Sequence, residues 1–196
     1  MVMSIFVQIT HISMKKLIAL LILLALPAFA YCQQRINRNV AGLTLGRYYR
    51  VDKVDDIIWK KFSRPSRVYK ESSSTSILAV GSIPFAGERW ECLNVTQESS
   101  GRVSEILFGI VFKNPDDLLP FCTRVAEKLV TKYGEPSMHS NEGLALEWVW
   151  NDSRNTTLRL QAIGKADSDE HEINVWLSYS DESLMKKIQT DTMNEL

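Results

Sequence analysis

The chain has 196 residues, 23 basic and 23 acidic side chains, and a formal net charge of zero at pH 7. That balance argues against nucleic acid, where a basic face supplies most of the affinity, and against a polybasic membrane patch. The length suits one domain, or two small halves sharing a sheet.

Met14-Lys15-Lys16 precedes the apolar run Leu17 to Ala30, and together they read as a secretory signal peptide over residues 14–32. Fourteen apolar residues in a helix span about 21 Å, too short for a bilayer core of about 30 Å. Ala28-Phe29-Ala30 offers one cleavage site and Ala30-Tyr31-Cys32 another. Tyr31 stands where lipid transfer to Cys32 wants a small residue, so lipoprotein anchoring is not expected. Residues 1–13 fit no part of a signal and read as translation from an upstream start codon. Removing residues 1–32 leaves 164 residues with 21 basic and 23 acidic side chains. The expected product is exported, periplasmic or secreted from a bacterium, with no integral membrane span after cleavage.

Residues 33–40 are polar and read as a flexible N-terminus. Val51 to Phe62 reads as a helix, with Val54, Ile57, Ile58 and Phe62 on one face, acids early, lysines late and Pro65 as the stop. Ile77 to Val80 is a short strand, after which Ile83 to Gly87 is expected to turn the chain. Trp90 to Thr96 is a second strand. Arg102 to Phe112 is the strongest, with Ile106, Phe108, Ile110 and Phe112 in strict alternation. Asn114-Pro115-Asp116-Asp117 caps a helix whose apolar face is Leu118, Cys122, Val125, Leu129 and Tyr133, closed by Gly134 and Pro136. Leu144 to Trp150, Thr156 to Ile163 and His171 to Tyr179 read as strands. Leu158, Leu160, Ile173, Val175, Leu177 and Tyr179 point inward, and Trp148 and Trp150 count as core. A short helix near Glu182 to Thr190 and a polar tail over 191–196 end the chain.

A helix followed by about three strands therefore occurs twice, over 41–113 and 114–190. Lys61-Phe62-Ser63-Arg64-Pro65 and Lys132-Tyr133-Gly134-Glu135-Pro136 share the pattern Lys-aromatic-x-x-Pro, which points to an internal tandem repeat. The fold class is α+β: an antiparallel sheet packed on one face by helices. Gly42 with Gly46, the Lys132 to Pro136 turn, and Phe85-Ala86-Gly87 leading to Trp90 carry a resemblance to the β-lactamase-inhibitor-protein-like tandem fold. The small single-unit lipoproteins of outer-membrane assembly are similar. The resemblance covers most of 41–180 as topology, and Ser63 replaces the glycine of the first turn. It implies an open sheet face available to a protein partner, and no catalytic residue.

No nucleotide, metal or catalytic motif stands out, and no cofactor is expected. His171 lies among Asp167, Asp169, Glu170 and Glu172, a pattern that fits a solvated loop better than a calcium loop. His139 lacks a ligand partner at metal-like spacing. Lys60, Lys61, Arg64, Arg67 and Lys70 form a basic cluster that complements a helix end. Cys92, in a strand, and Cys122, in a helix that could pack over it, are either bridged in the oxidising compartment or two buried thiols. Trp176 falls on the polar side of its strand with Asn174, near the outward positions Arg159, Gln161 and Glu147. An outward Trp among polar groups is an interface anchor unless a helix or the tail covers it. The reading is a non-enzymatic exported domain that binds an envelope or secreted protein through this face. The alternative is a small-molecule or glycan-binding envelope protein.

Overall fold

Hydrophobic spacing and caps account for the helices seen in the computed structural model, which describes residues 35–142, 145–164 and 172–194. The signal segment, Leu144, and His171 with its neighbours Asp167, Asp169 and Glu170 lie outside these residues. Helix α1 spans Val51–Phe62 and buries Val54, Ile58 and Phe62. Its stop is Ser63 rather than Pro65. Ser63 adopts the left-handed conformation (φ 53°, ψ 41°) that glycine usually supplies, and its N–H donates to the Trp59 carbonyl at 2.8 Å. Helix α2, Pro115–Tyr133, starts where the Asn114 side chain accepts from the Asp116 N–H, and ends at Gly134 with φ 81°. All five expected apolar-face residues are buried.

A short hairpin, β1 (Asn39–Val40) with β2 (Leu43–Thr44), precedes α1. After α1 come four strands: β3 (Ser66–Lys70), β4 (Ser74–Phe85), β5 (Glu88–Glu98) and β6 (Val103–Phe112). After α2 come four more: β7 (Met138–Glu142), β8 (Ala145–Asn151), β9 (Thr156–Gly164) and β10 (Ile173–Asp181). Each helix is thus followed by four strands, not three. The additional ones, β3 and β7, are the two edges of a single eight-stranded sheet ordered β3-β4-β5-β6-β10-β9-β8-β7. Edge β3 is mostly exposed and carries Arg67 and Lys70, so it lacks the alternation that betrays a half-buried strand. The expected turn at Ile83 to Gly87 is also corrected. The strand runs on to Phe85, Ile83 is fully buried opposite Trp90, and the turn is Ala86-Gly87 alone, both with positive φ. Pro84 is tolerated because β3 pairs only with Thr75–Ala79 and leaves the far end of β4 without a neighbour on that side.

One face of the sheet carries Ile77, Leu93, Val95, Ile106, Phe108, Leu158, Leu160, Val175, Leu177 and Tyr179, and these join α1 and α2 in a continuous core. The final helix, α3 (Glu182–Met193), is capped by Asp181, which accepts from the N–H groups of Ser183 and Leu184. It lies against one end of the opposite face. Lys187 donates to Glu98 at 2.7 Å, Thr192 bonds Ser73 at 2.8 Å, and Leu184 is buried yet outside the core cluster. Ser74, Glu98, Ser178 and Ser180, all on that second face, are buried.

Glu98 is the anchor of α3. Burial pushes its carboxyl up, but hydrogen bonds from Lys187, Arg102 and the Ser100 N–H outweigh that and hold it down at about 2. A lowered carboxylate stabilises the fold above its unfolded value near 4.5, and the contribution fades as pH falls toward 2. With a side chain only 1% exposed, the shift corresponds to roughly 3 kcal/mol. Urea midpoints recorded across this pH window should fall steeply for the wild type and more gently for Glu98→Gln. Parallel curves would show that Glu98 does not hold the helix.

Candidate functional site

Because side chains alternate along a strand, the second face is built from the residues between the core positions. Register places them in rows across the sheet. The first row runs Val80, Cys92, Gly109, Trp176, Gln161, Glu147, and the second Leu78, Asn94, Leu107, Ser178, Arg159. A third runs Tyr69, Ser76, Thr96, Glu105, Ser180, next to α3. A cavity opens on this face where the three rows meet. The cavity, of about 560 Å³, is lined from all three rows by Tyr69, Ser76, Leu78, Val80, Cys92, Asn94, Glu105, Leu107, Arg159, Gln161, Trp176 and Ser178.

Trp176 owes its pose to Gly109. The two residues are directly opposed on β10 and β6. A Cβ on Gly109 would stand 2.3 Å from Trp176 Cζ3, 2.6 Å from Cε3 and 2.8 Å from Cys92 Sγ. The six-membered ring of the indole therefore lies directly against bare backbone beside the thiol. The glycine is required by this close approach and not by its dihedral angles.

Of the five expected interface residues, three line the cavity: Trp176, Arg159 and Gln161. Glu147 braces two of them, at 3.2 Å from Arg159 Nε and accepting from Gln161 Nε2 at 3.4 Å. Asn174 shares the strand face but opposes Val111 and Ile163, beyond the cavity rim. The structure adds Glu105 and Asn94. The Glu105 side chain has no hydrogen bond or ion pair among the described residues, and burial pushes its carboxyl up, with Arg159 pulling it down and Glu182 pushing further up. The Asn94 amide donates to Thr96 Oγ1 at 3.4 Å, while its Oδ1 is buried without a partner. The outward set Glu105, Leu107 and Gly109 follows from the alternation of Ile106, Phe108 and Ile110. What it faces does not.

The cysteines are not bridged. Cys122 is fully buried on the α2 side, whereas Cys92 faces the cavity on the other side of the sheet. A strand's own backbone separates them, since α2 packs over the neighbours of Cys92 and not over its side chain. Burial pushes the Cys92 thiol up, an N–H contact from Gly109 lowers it, and Glu91 raises it again. That setting is the opposite of the electropositive one that yields a reactive thiolate. His139 stacks on Trp148 with ring centroids 5.0 Å apart and an interplanar angle of 12°. Trp150 is core, its Nε1 donating to the Gly134 carbonyl at 2.8 Å, while Trp148 is only partly buried. Among the described residues no helix is long and apolar enough to cross a membrane, and no group of three His, Cys, Asp or Glu converges as metal ligands do.

Compared with protein-family models, curated proteins and solved structures, the chain matches none of them.

Proposed function

We propose that this chain is an exported, non-enzymatic binding module, built as two tandem helix-plus-strands repeats in the β-lactamase-inhibitor-protein-like manner. Its second sheet face receives an envelope or secreted protein. The carrying observation is Trp176, held against Gly109 and partly exposed in the lining of the cavity. A rigid aromatic in a preformed hollow buries much area at little entropic cost, which is how binding anchors work. The repeat reading draws support from two helix-plus-four-strand series that meet at β6 and β10. The binding rather than catalytic reading draws support from the cavity chemistry. Burial raises the Cys92 thiol, away from a nucleophilic thiolate.

The test is crosslinking capture in cells by the wild type and by Trp176→Ala. The variant should melt within a few degrees of the wild type while its partner yield drops by about tenfold or more, the loss of a hot-spot residue. Undiminished capture removes Trp176 from the interface. Loss of folding would make it a packing residue instead.

A second reading, an envelope protein that takes a small molecule, is favoured by one observation. The cavity volume of about 560 Å³ falls in the range of small-ligand sites, roughly 300–1,000 Å³, with an apolar lining and a few polar groups.

A further inference from the structure

Resting on the small-molecule reading, the polar groups of the cavity define what it takes. Its charges are unevenly satisfied. Arg159, the cation in the lining, is occupied by Glu147 at 3.2 Å. The Glu105 carboxyl has no hydrogen bond or ion pair among the described residues; Arg159 acts on it favourably without touching it, and Glu182 acts on it unfavourably. The buried Asn94 Oδ1, also unpartnered, is a diagonal neighbour, since Asn94 opposes Leu107 and Glu105 lies two residues along β6. The acceptor at this end of the hollow is thus the Glu105 carboxyl, with the enclosed Asn94 Oδ1 beside it offering no donor, and desolvating it is costly until a donor arrives.

At the other end is the Trp176 face. Its partner Gly109 is four residues from Glu105 along β6, about 13 Å in an extended strand. Leu107 lies between them. An occupant reaching from the indole to the carboxylate therefore has an apolar body some carbon atoms long and a terminal hydrogen-bond donor. A carboxylate or phosphate ligand would have to displace Glu147 from Arg159 while facing Glu105. A positively charged head avoids both penalties, because Glu147 already neutralises the Arg159 that would face it.

We propose that this cavity binds an organic cation, an aryl- or alkyl-bodied primary amine whose ammonium bonds Glu105 and whose body covers Leu107 and Trp176. The ammonium supplies the donors that the Glu105 carboxylate lacks, and the body displaces water from the apolar floor.

The experiment is calorimetric titration of the full mature chain with phenylbutylamine, phenylbutanol and phenylbutyrate, which share a body and differ only in the head. The amine should bind about tenfold or more tightly than the other two, the scale of one charge-assisted hydrogen bond. Glu105→Gln should bring the amine to the level of the alcohol. Trp176→Ala should weaken whichever compounds bind. Equal binding of all three, or amine binding unchanged in Glu105→Gln, overturns the cation assignment and leaves the small-molecule reading standing. No binding of any of them overturns the assignment and counts against that reading too. The capture experiment on the protein-partner reading is independent of both results.

Discussion

Trp90→Ala should lower the unfolding free energy by about 3–5 kcal/mol, the cost of emptying a buried aromatic site. Trp90 is 1% exposed, and its Nε1 donates to the Phe85 carbonyl at 3.0 Å, closing the Ala86-Gly87 turn. Its ring lies edge-on to Phe121 of α2, centroids 5.3 Å apart, and tilted to Phe108 at 6.1 Å. Phe108 in turn stacks on Phe85 at 3.9 Å. One side chain therefore ties the β4-β5 hairpin, the central strand β6 and α2 together. Removing it leaves a cavity and an unpaired carbonyl. Trp90→Phe keeps much of the apolar volume but not the donor, and should cost about 1–3 kcal/mol, the price of an unmade buried hydrogen bond plus a smaller void. Urea unfolding of the two variants checks this. A loss under about 1.5 kcal/mol for the alanine variant would show that the aromatic cluster does not clamp the helix.

Gly109→Val should be the most disruptive change on the binding face, costing about 3 kcal/mol, the upper range for overpacking. A Cβ alone already falls 2.3 Å from the Trp176 ring, so even Gly109→Ala obliges the indole to move. The diagnosis is a double-mutant cycle. In a Trp176→Ala background, Gly109→Ala should lose most of its cost, because the remaining close neighbour is the Cys92 thiol. Additive effects would mean that the glycine is needed for its backbone and not for the indole. The same substitution should impair capture of any occupant that uses Trp176, since the ring would leave its pose.

The local elements were largely legible before any tertiary structure. The α1 boundaries coincide with the three- and four-residue spacing of Val54, Ile58 and Phe62, and α2 begins at its Asn114 cap and ends at Gly134. The inward residues of β6, β9 and β10 follow from alternation. The edges β3 and β7 were not legible, since an edge strand exposed to water needs no apolar alternation. The extension of β4 through Pro84 was hidden by a proline that usually marks a turn. Trp90 and Leu93 are both core although three apart, a break in alternation that accompanies the register shift between Val80 and Ile83.

By itself the sequence determined the α+β class, the ends of α2, and the face of most strand residues outside the bulge near Trp90, because these depend on neighbours a few positions away along the chain. It placed Trp176 on the polar face with Arg159 and Gln161 for the same reason. Which strands adjoin, and at what register, was decided only by the folded sheet. A period of two assigns a side, not a neighbour. Strand register sets Trp176 on Gly109 beside Cys92 and brings Glu105 and Asn94 into one hollow, while the packing of α2 on the other face keeps Cys122 away from Cys92. The packing of α3 across the end of that face was likewise decided in three dimensions, through Lys187 and a Glu98 that lies 89 residues away in the chain.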